Sequence, residues 1–220
     1  MKLFQPMTVS KRPAIRIGLV AIWLFFVLEW VTDIWFGSRF PGYDWHAQSM
    51  SYLGQSGSPI ETWVTLWGVA FTLLILLFDV AFYQTFREKT WGKIAAFALL
   101  IYGLGEGLGS GCFPINPPGT PLTFDGRMHN IFSGIGDTGI VSFPFLLMFV
   151  FPRESYRGFR RYLWVTVGIG TTMACFFLIA KYNRPDNLIL DYKGVWQRIY
   201  TLNYDVMLLV VGAKMYQKAT

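Results

Sequence analysis

The chain is 220 residues long, 53% hydrophobic and 18% aromatic, with a mean hydropathy of +0.39. Only 15% of its residues are charged, against about a quarter in a soluble domain, which excludes an ordinary water-soluble globule. The net charge of +6 does not mark a nucleic-acid binder, because the basic residues sit at the ends of apolar runs, where they set membrane topology.

A membrane-spanning helix needs about 20 mostly apolar residues. Six windows qualify, at 14–36, 60–84, 92–111, 128–151, 160–180 and 196–214. They predict an all-α fold: one polytopic membrane domain over 1–220, a bundle of six transmembrane helices. The first window follows a basic start, as a secretory signal does. It is too long for one, however, and Trp30, Trp35, Phe36 and Gly37 stand where a small-residue cleavage site would be. It reads as an uncleaved helix. It carries Glu29 and Asp33 on one face.

The next connection, 37–59, is rich in Gly, Ser and Asp and holds His46 and the run Ser49-Met-Ser51-Tyr-Leu-Gly54. Ser58-Pro59 before Ile60-Glu61 suits the start of helix 2. Asp79 falls near that helix's far end. A short link, 86–91, leads to helix 3, which closes on Gly103-Leu-Gly-Glu106-Gly-Leu-Gly-Ser-Gly111. Gly103, Gly107 and Gly111 form a bare stripe on which a neighbouring helix can pack closely.

Helix 4 follows the loop 112–127 and bears His129, Ser133 and Asp137 at successive turns. A second short link, 152–159, joins helices 4 and 5, and 181–195 leads to helix 6 with Arg198, Thr201 and Asp205. Short links make antiparallel neighbours. With the N-terminus inside, 13 of the 19 Lys and Arg fall on the inner side and 6 on the outer. The positive-inside rule then predicts N-in and C-in topology; the membrane expected is the plasma (inner) membrane. Trp30, Trp35, Trp63 and Trp196 near one interface, with Trp91 and Trp164 near the other, make an aromatic belt. Two cysteines, Cys112 and Cys175, make neither a disulfide framework nor a CxxC motif.

Charges within a bilayer are costly and need a partner or a polar cavity. Acids outnumber bases within the predicted spans. Glu106, His129, Arg198, Asp137 and Asp205, with His46 and Ser51 from the first loop, are therefore the candidate lining of a polar cavity in the outer half. Glu106, His129 and Arg198 are expected to share it. A zinc site drawn from His129, Asp125 and His46 is one further option. A serine nucleophile in the Ser49–Gly54 run, with His46 close in sequence, has no GxSxG context.

Three elements carry a resemblance: Ser49-Met-Ser51-Tyr-Leu-Gly54 followed by Gly57-x-Pro59; Cys112-Phe-Pro114 followed by His129; and Gly194-Val-Trp-Gln-Arg198. The chain resembles the domain-of-unknown-function 998 family from about residue 15 to 215. The resemblance implies a compact bundle of about six helices in a prokaryotic membrane and no established activity. Asn116 stands where that family often has an acidic residue. The function expected is binding of a small polar or lipid headgroup ligand, with the lipid bilayer as partner. The alternatives are a metal-assisted or acid–base hydrolase acting on lipid, and a proton- or cation-coupled transporter.

Overall fold

The computed structural model describes residues 12–182 and 188–219; Lys2, Lys11 and Arg184, counted above for topology, lie outside them. Six long helices are present: α1 Arg12–Arg39, α2 Glu61–Phe86, α3 Thr90–Tyr102 with its continuation to Cys112, α4 Phe124–Val150, α5 Arg157–Tyr182 and α6 Lys193–Ala219. A 3₁₀ turn, Met50–Gly54, precedes α2, and a helical turn, Leu188–Asp191, precedes α6. Each helix runs one to five residues beyond its predicted window at one or both ends, because capping groups and interfacial residues extend it past the apolar stretch. There is no strand among the described residues, only a bridge between Gln55 and Ile115.

Among the described residues five helices, α1 to α5, are long and apolar enough to cross a membrane. The sixth expected span, α6, is less apolar. The sixth helix has 27 residues and so reaches about 40 Å, but Gln197, Arg198, Asn203 and Asp205 dilute its apolar character. The most buried of these polar groups, Arg198 and Asp205, face other helices: they are 3% and 1% exposed.

Helices adjacent in sequence pack side by side, and α6 returns to α1, so the bundle is a closed ring. Its polarity is inverted relative to a soluble protein. Val20, Trp23, Val27, Val31 and Ile34 of α1 and Leu66, Leu73, Leu77 and Val80 of α2 are exposed, while Glu29, Asp33, Thr72 and Asp79 are buried. That is the pattern lipid demands.

Glycines set the spacing of α2, α3 and α4. A Cβ on Gly68 would lie 2.5 Å from the carbonyl of Gly107, and one on Gly105 would lie 2.6 Å from the amide of Gly136. The stripe at Gly103, Gly107 and Gly111 faces α2, as its spacing predicts, and Gly105 and Gly109 face α4. Within this contact, Gly103–Gly109 winds as a π-helix, an irregularity common at functional sites.

One end of the ring holds the short turns at 87–89 and 151–156, and the other holds the longer loops 40–60 and 113–123. At the turn end, basic side chains satisfy helix-terminal carbonyls that have no partner within their own helix. Lys89 Nζ donates to the carbonyl of Val150 at 2.6 Å, Arg160 to Met148 and Phe151, and Lys218 to Thr85. Burial holds the Lys89 ammonium below its ordinary pKa.

Candidate functional site

At the loop end the ring encloses a cavity of about 990 Å³, at the upper end of the range for ligand pockets. Of the candidate residues, Glu106, His129, Asp137 and Ser51 line it, together with Glu29 and Asp33 of α1. Arg198, Asp205 and His46 do not.

Arg198 is instead the centre of a buried clamp. Its Nε and Nη2 donate to the two oxygens of Asp33, each at 2.8 Å, a bidentate pair. Nη1 donates to the carbonyls of Trp45, Gln48 and Gly194, and Nη2 also donates to Tyr43 Oη at 2.7 Å. The guanidinium lies 4.0 Å from the centre of the Trp45 ring, and Trp45 Nε1 donates to Asp33. One side chain thus ties α1, α6 and the first loop together. The expectation that Arg198 shares a cavity with Glu106 and His129 is corrected on this point: Asp33 and the loop carbonyls surround it. Burial pushes the Tyr43 hydroxyl up to about 12, so it stays a donor, to the carbonyls of Gln48 and Ser49.

Asp205 is buried behind the cavity wall. One oxygen accepts from Trp30 Nε1 at 3.2 Å and the other has no partner. His46 is exposed, with Nδ1 3.5 Å from Asp44; its contribution is its carbonyl, which accepts from the amides of Gly194 and Val195. Those of His46 and Ala47 donate to the Asp44 carboxylate and hold it below its usual range.

His129 is buried, and its Nδ1 lies 2.9 Å from the carbonyl of Ser110 and 2.8 Å from that of Phe113. Both partners are acceptors, so Nδ1 carries the hydrogen and Nε2 is the acceptor of the neutral ring. The histidine therefore caps the C-terminal end of α3. Asp125 is exposed on the first turn of α4, where its charge favours the helix dipole. Among the described residues no three His, Cys, Asp or Glu side chains gather as a metal ion requires. His129, Asp125 and His46 are not brought together, because two of them serve at the surface and the third at a helix end.

The inner wall of the cavity is acidic and aromatic. Glu29 accepts from Trp67 Nε1 at 2.9 Å, and Asp137 from Tyr200 Oη at 2.7 Å. Glu106 sits in the middle of the π-helical segment, and its Oε2 is buried without a partner. Tyr102, Tyr204 and Phe71 also line the cavity. Sequence reasoning missed this aromatic half: Tyr200 and Tyr204 are four apart on α6, a spacing that signals a shared face but not what that face meets. Nearer the mouth are Lys181, which donates to Asn130 at 3.0 Å, and Lys193.

The wall is least complete between α4 and α5. Gly134, Thr138 and Phe145 of α4 and Leu178 and Lys181 of α5 line the cavity and are exposed. A Cβ on Gly134 would meet nothing within 4 Å. The apolar stretch of α5 is 22% buried, against 56% for α3, so α5 is the helix held least by its neighbours.

The sequence motifs gain physical roles from this geometry. A Cβ on Gly194 would lie 2.5 Å from the carbonyl of Trp45, and Arg198, one turn later, donates to that carbonyl, so Gly-x-x-x-Arg seats the first loop on α6. The Phe-Pro element followed by His129 is the cap of α3. Ser58 Oγ donates to the carbonyl of Leu53 at 2.6 Å and closes the segment that begins at Ser49. Asn116 organises the second loop: its Oδ1 accepts from the Thr123 amide and its Nδ2 donates to the carbonyl of Pro121.

Neither the curated proteins nor the solved structures give a match to this chain. The family model described as "Protein of unknown function (DUF998)" matches residues 16–214, which include all three motifs. The chain is a multi-pass membrane protein that belongs to the DUF998 family.

Proposed function

We propose that this protein binds the polar headgroup of an amphiphilic lipid in the cavity at its loop end. The observation that carries this reading is the seam between α4 and α5. There a cavity with acidic and aromatic walls meets exposed apolar residues of membrane-spanning helices, among them Phe145 and Leu178. A headgroup in the cavity and a tail through the seam satisfy both surfaces. Binding is tested by native mass spectrometry of the purified full chain with added phospholipid. Saturable 1:1 binding is expected, and Gly134→Trp, which fills the open side of α4, should weaken it at least ten-fold with no loss of thermal stability. Absence of binding, or binding indifferent to Gly134→Trp, overturns the reading.

The same reading places the loop end outside and both termini in the cytoplasm of a cell with this protein in its inner membrane. Arg87, Lys89, Arg153, Arg157, Arg160 and Arg161 cluster at the turn end, which supports this orientation. In a background lacking Cys112 and Cys175, both exposed, a cysteine at position 120 should react with an impermeant maleimide in whole cells and one at position 155 should not. The reverse pattern inverts the topology.

A further inference from the structure

The cavity's charges are sorted by depth, and this sorting specifies the headgroup. The three inner carboxylates, Glu29, Asp137 and Glu106, have only neutral hydrogen-bond donors or, at Glu106 Oε2, none. The ion pairs between described residues are His46–Asp44, Arg87–Glu88 and Arg198–Asp33, and none involves these three acids. Carboxylates so placed in an apolar bundle call for positive charge from elsewhere. The two lysines of the cavity stand at its mouth, on the last turn of α5 and at the start of α6.

A bare metal ion or a proton leaves most of a cavity of about 990 Å³ unexplained, since one water takes up about 30 Å³. The aromatic wall of Trp67, Tyr102 and Tyr200 beside the acids suits an organic cation, which gains from ring faces as well as from carboxylates.

Resting on the lipid-headgroup reading, we infer that the ligand is a zwitterionic phospholipid of the ethanolamine type. Its terminal ammonium lies at Glu106 and Asp137, and its phosphate lies at Lys181 and Lys193. The order of groups along such a lipid is tail, phosphate, ammonium. The order along the cavity is exposed apolar seam, lysines, carboxylates. An anionic phospholipid offers the lysines the same phosphate but leaves the inner acids without a counter-charge.

The test compares three lipids with matched acyl chains on the intact protein in detergent: phosphatidylethanolamine, phosphatidylglycerol and diacylglycerol, read by native mass spectrometry. Phosphatidylethanolamine should bind at least ten-fold more tightly than phosphatidylglycerol, with diacylglycerol weakest. Glu106→Gln and Asp137→Asn should each abolish the ten-fold preference for phosphatidylethanolamine over phosphatidylglycerol. The wild-type comparison stands alone if either variant fails to fold. Equal affinity of the two phospholipids overturns the inference, as does an undiminished preference in both folded variants. If phosphatidylglycerol binds saturably, is lost with Gly134→Trp and shows no deficit against phosphatidylethanolamine, the headgroup assignment fails and the lipid-pocket reading survives. If no lipid binds, both fail.

Discussion

Arg198→Ala should be the most damaging single substitution in the chain, lowering stability by about 3–5 kcal/mol, the cost of breaking a buried ion pair by removing one partner. Asp33 is 2% exposed, and the substitution removes the bidentate donor that compensates its charge. Four further acceptors and the Trp45 ring face surround the same guanidinium, so the first loop also loses its ties to that side chain and is left with bonds to α6 such as those through the His46 carbonyl and the Met50 amide. Arg198→Lys should rescue little, because an ammonium has no planar fork to meet two carboxylate oxygens. Thermal unfolding of the detergent-solubilised variants measures this. The double variant Asp33→Asn with Arg198→Ala should recover part of the loss, since no bare charge is then left inside. A wild-type melting temperature for Arg198→Ala would show that the clamp does not hold the bundle together.

Gly107→Leu should produce the second largest effect, at or above the upper end of the roughly 1–3 kcal/mol typical of overpacking. Its Cβ alone would collide with Thr72 Oγ1, with Phe71 Cδ1 at 2.7 Å and with the carbonyl of Gly68 at 2.9 Å. Backbone cannot swing away as the end of a side chain can. Separating α2 from α3 would also disturb Thr72, whose hydroxyl donates to the carbonyls of Gly68 and Gly103. Gly134→Ala is the matched control. Its new methyl enters open space, so stability should hold or rise by up to about 1 kcal/mol from helix propensity alone. Yield and melting temperature of the two variants decide it, and equal behaviour would mean that the close packing of α2 on α3 contributes nothing.

Helix existence and order were legible in the sequence because a membrane imposes a one-dimensional rule: each span must be about 20 residues long and largely apolar, whatever it packs against. The stripe at Gly103, Gly107 and Gly111 was legible for a related reason, since residues four apart share a helix face before any partner is known. The acids of the helices were visible as charges that need company. Which company each one keeps was decided only by the tertiary structure. The sequence placed Arg198 in a cavity with Glu106 and His129; the ring closure of α6 onto α1 gave it Asp33, 165 positions away. His129 read as a ligand because histidine chemistry is versatile, and the fold made it a cap because the end of α3 leaves carbonyls unpaired beside it. The aromatic wall of Trp67, Tyr102 and Tyr200 was invisible in advance, since aromatics are common in every span and only packing separates those that face lipid from those that face a cavity. Local periodicity and hydropathy are properties of a single segment; the pairing of buried charges depends on which helices meet, and no segment carries that information alone.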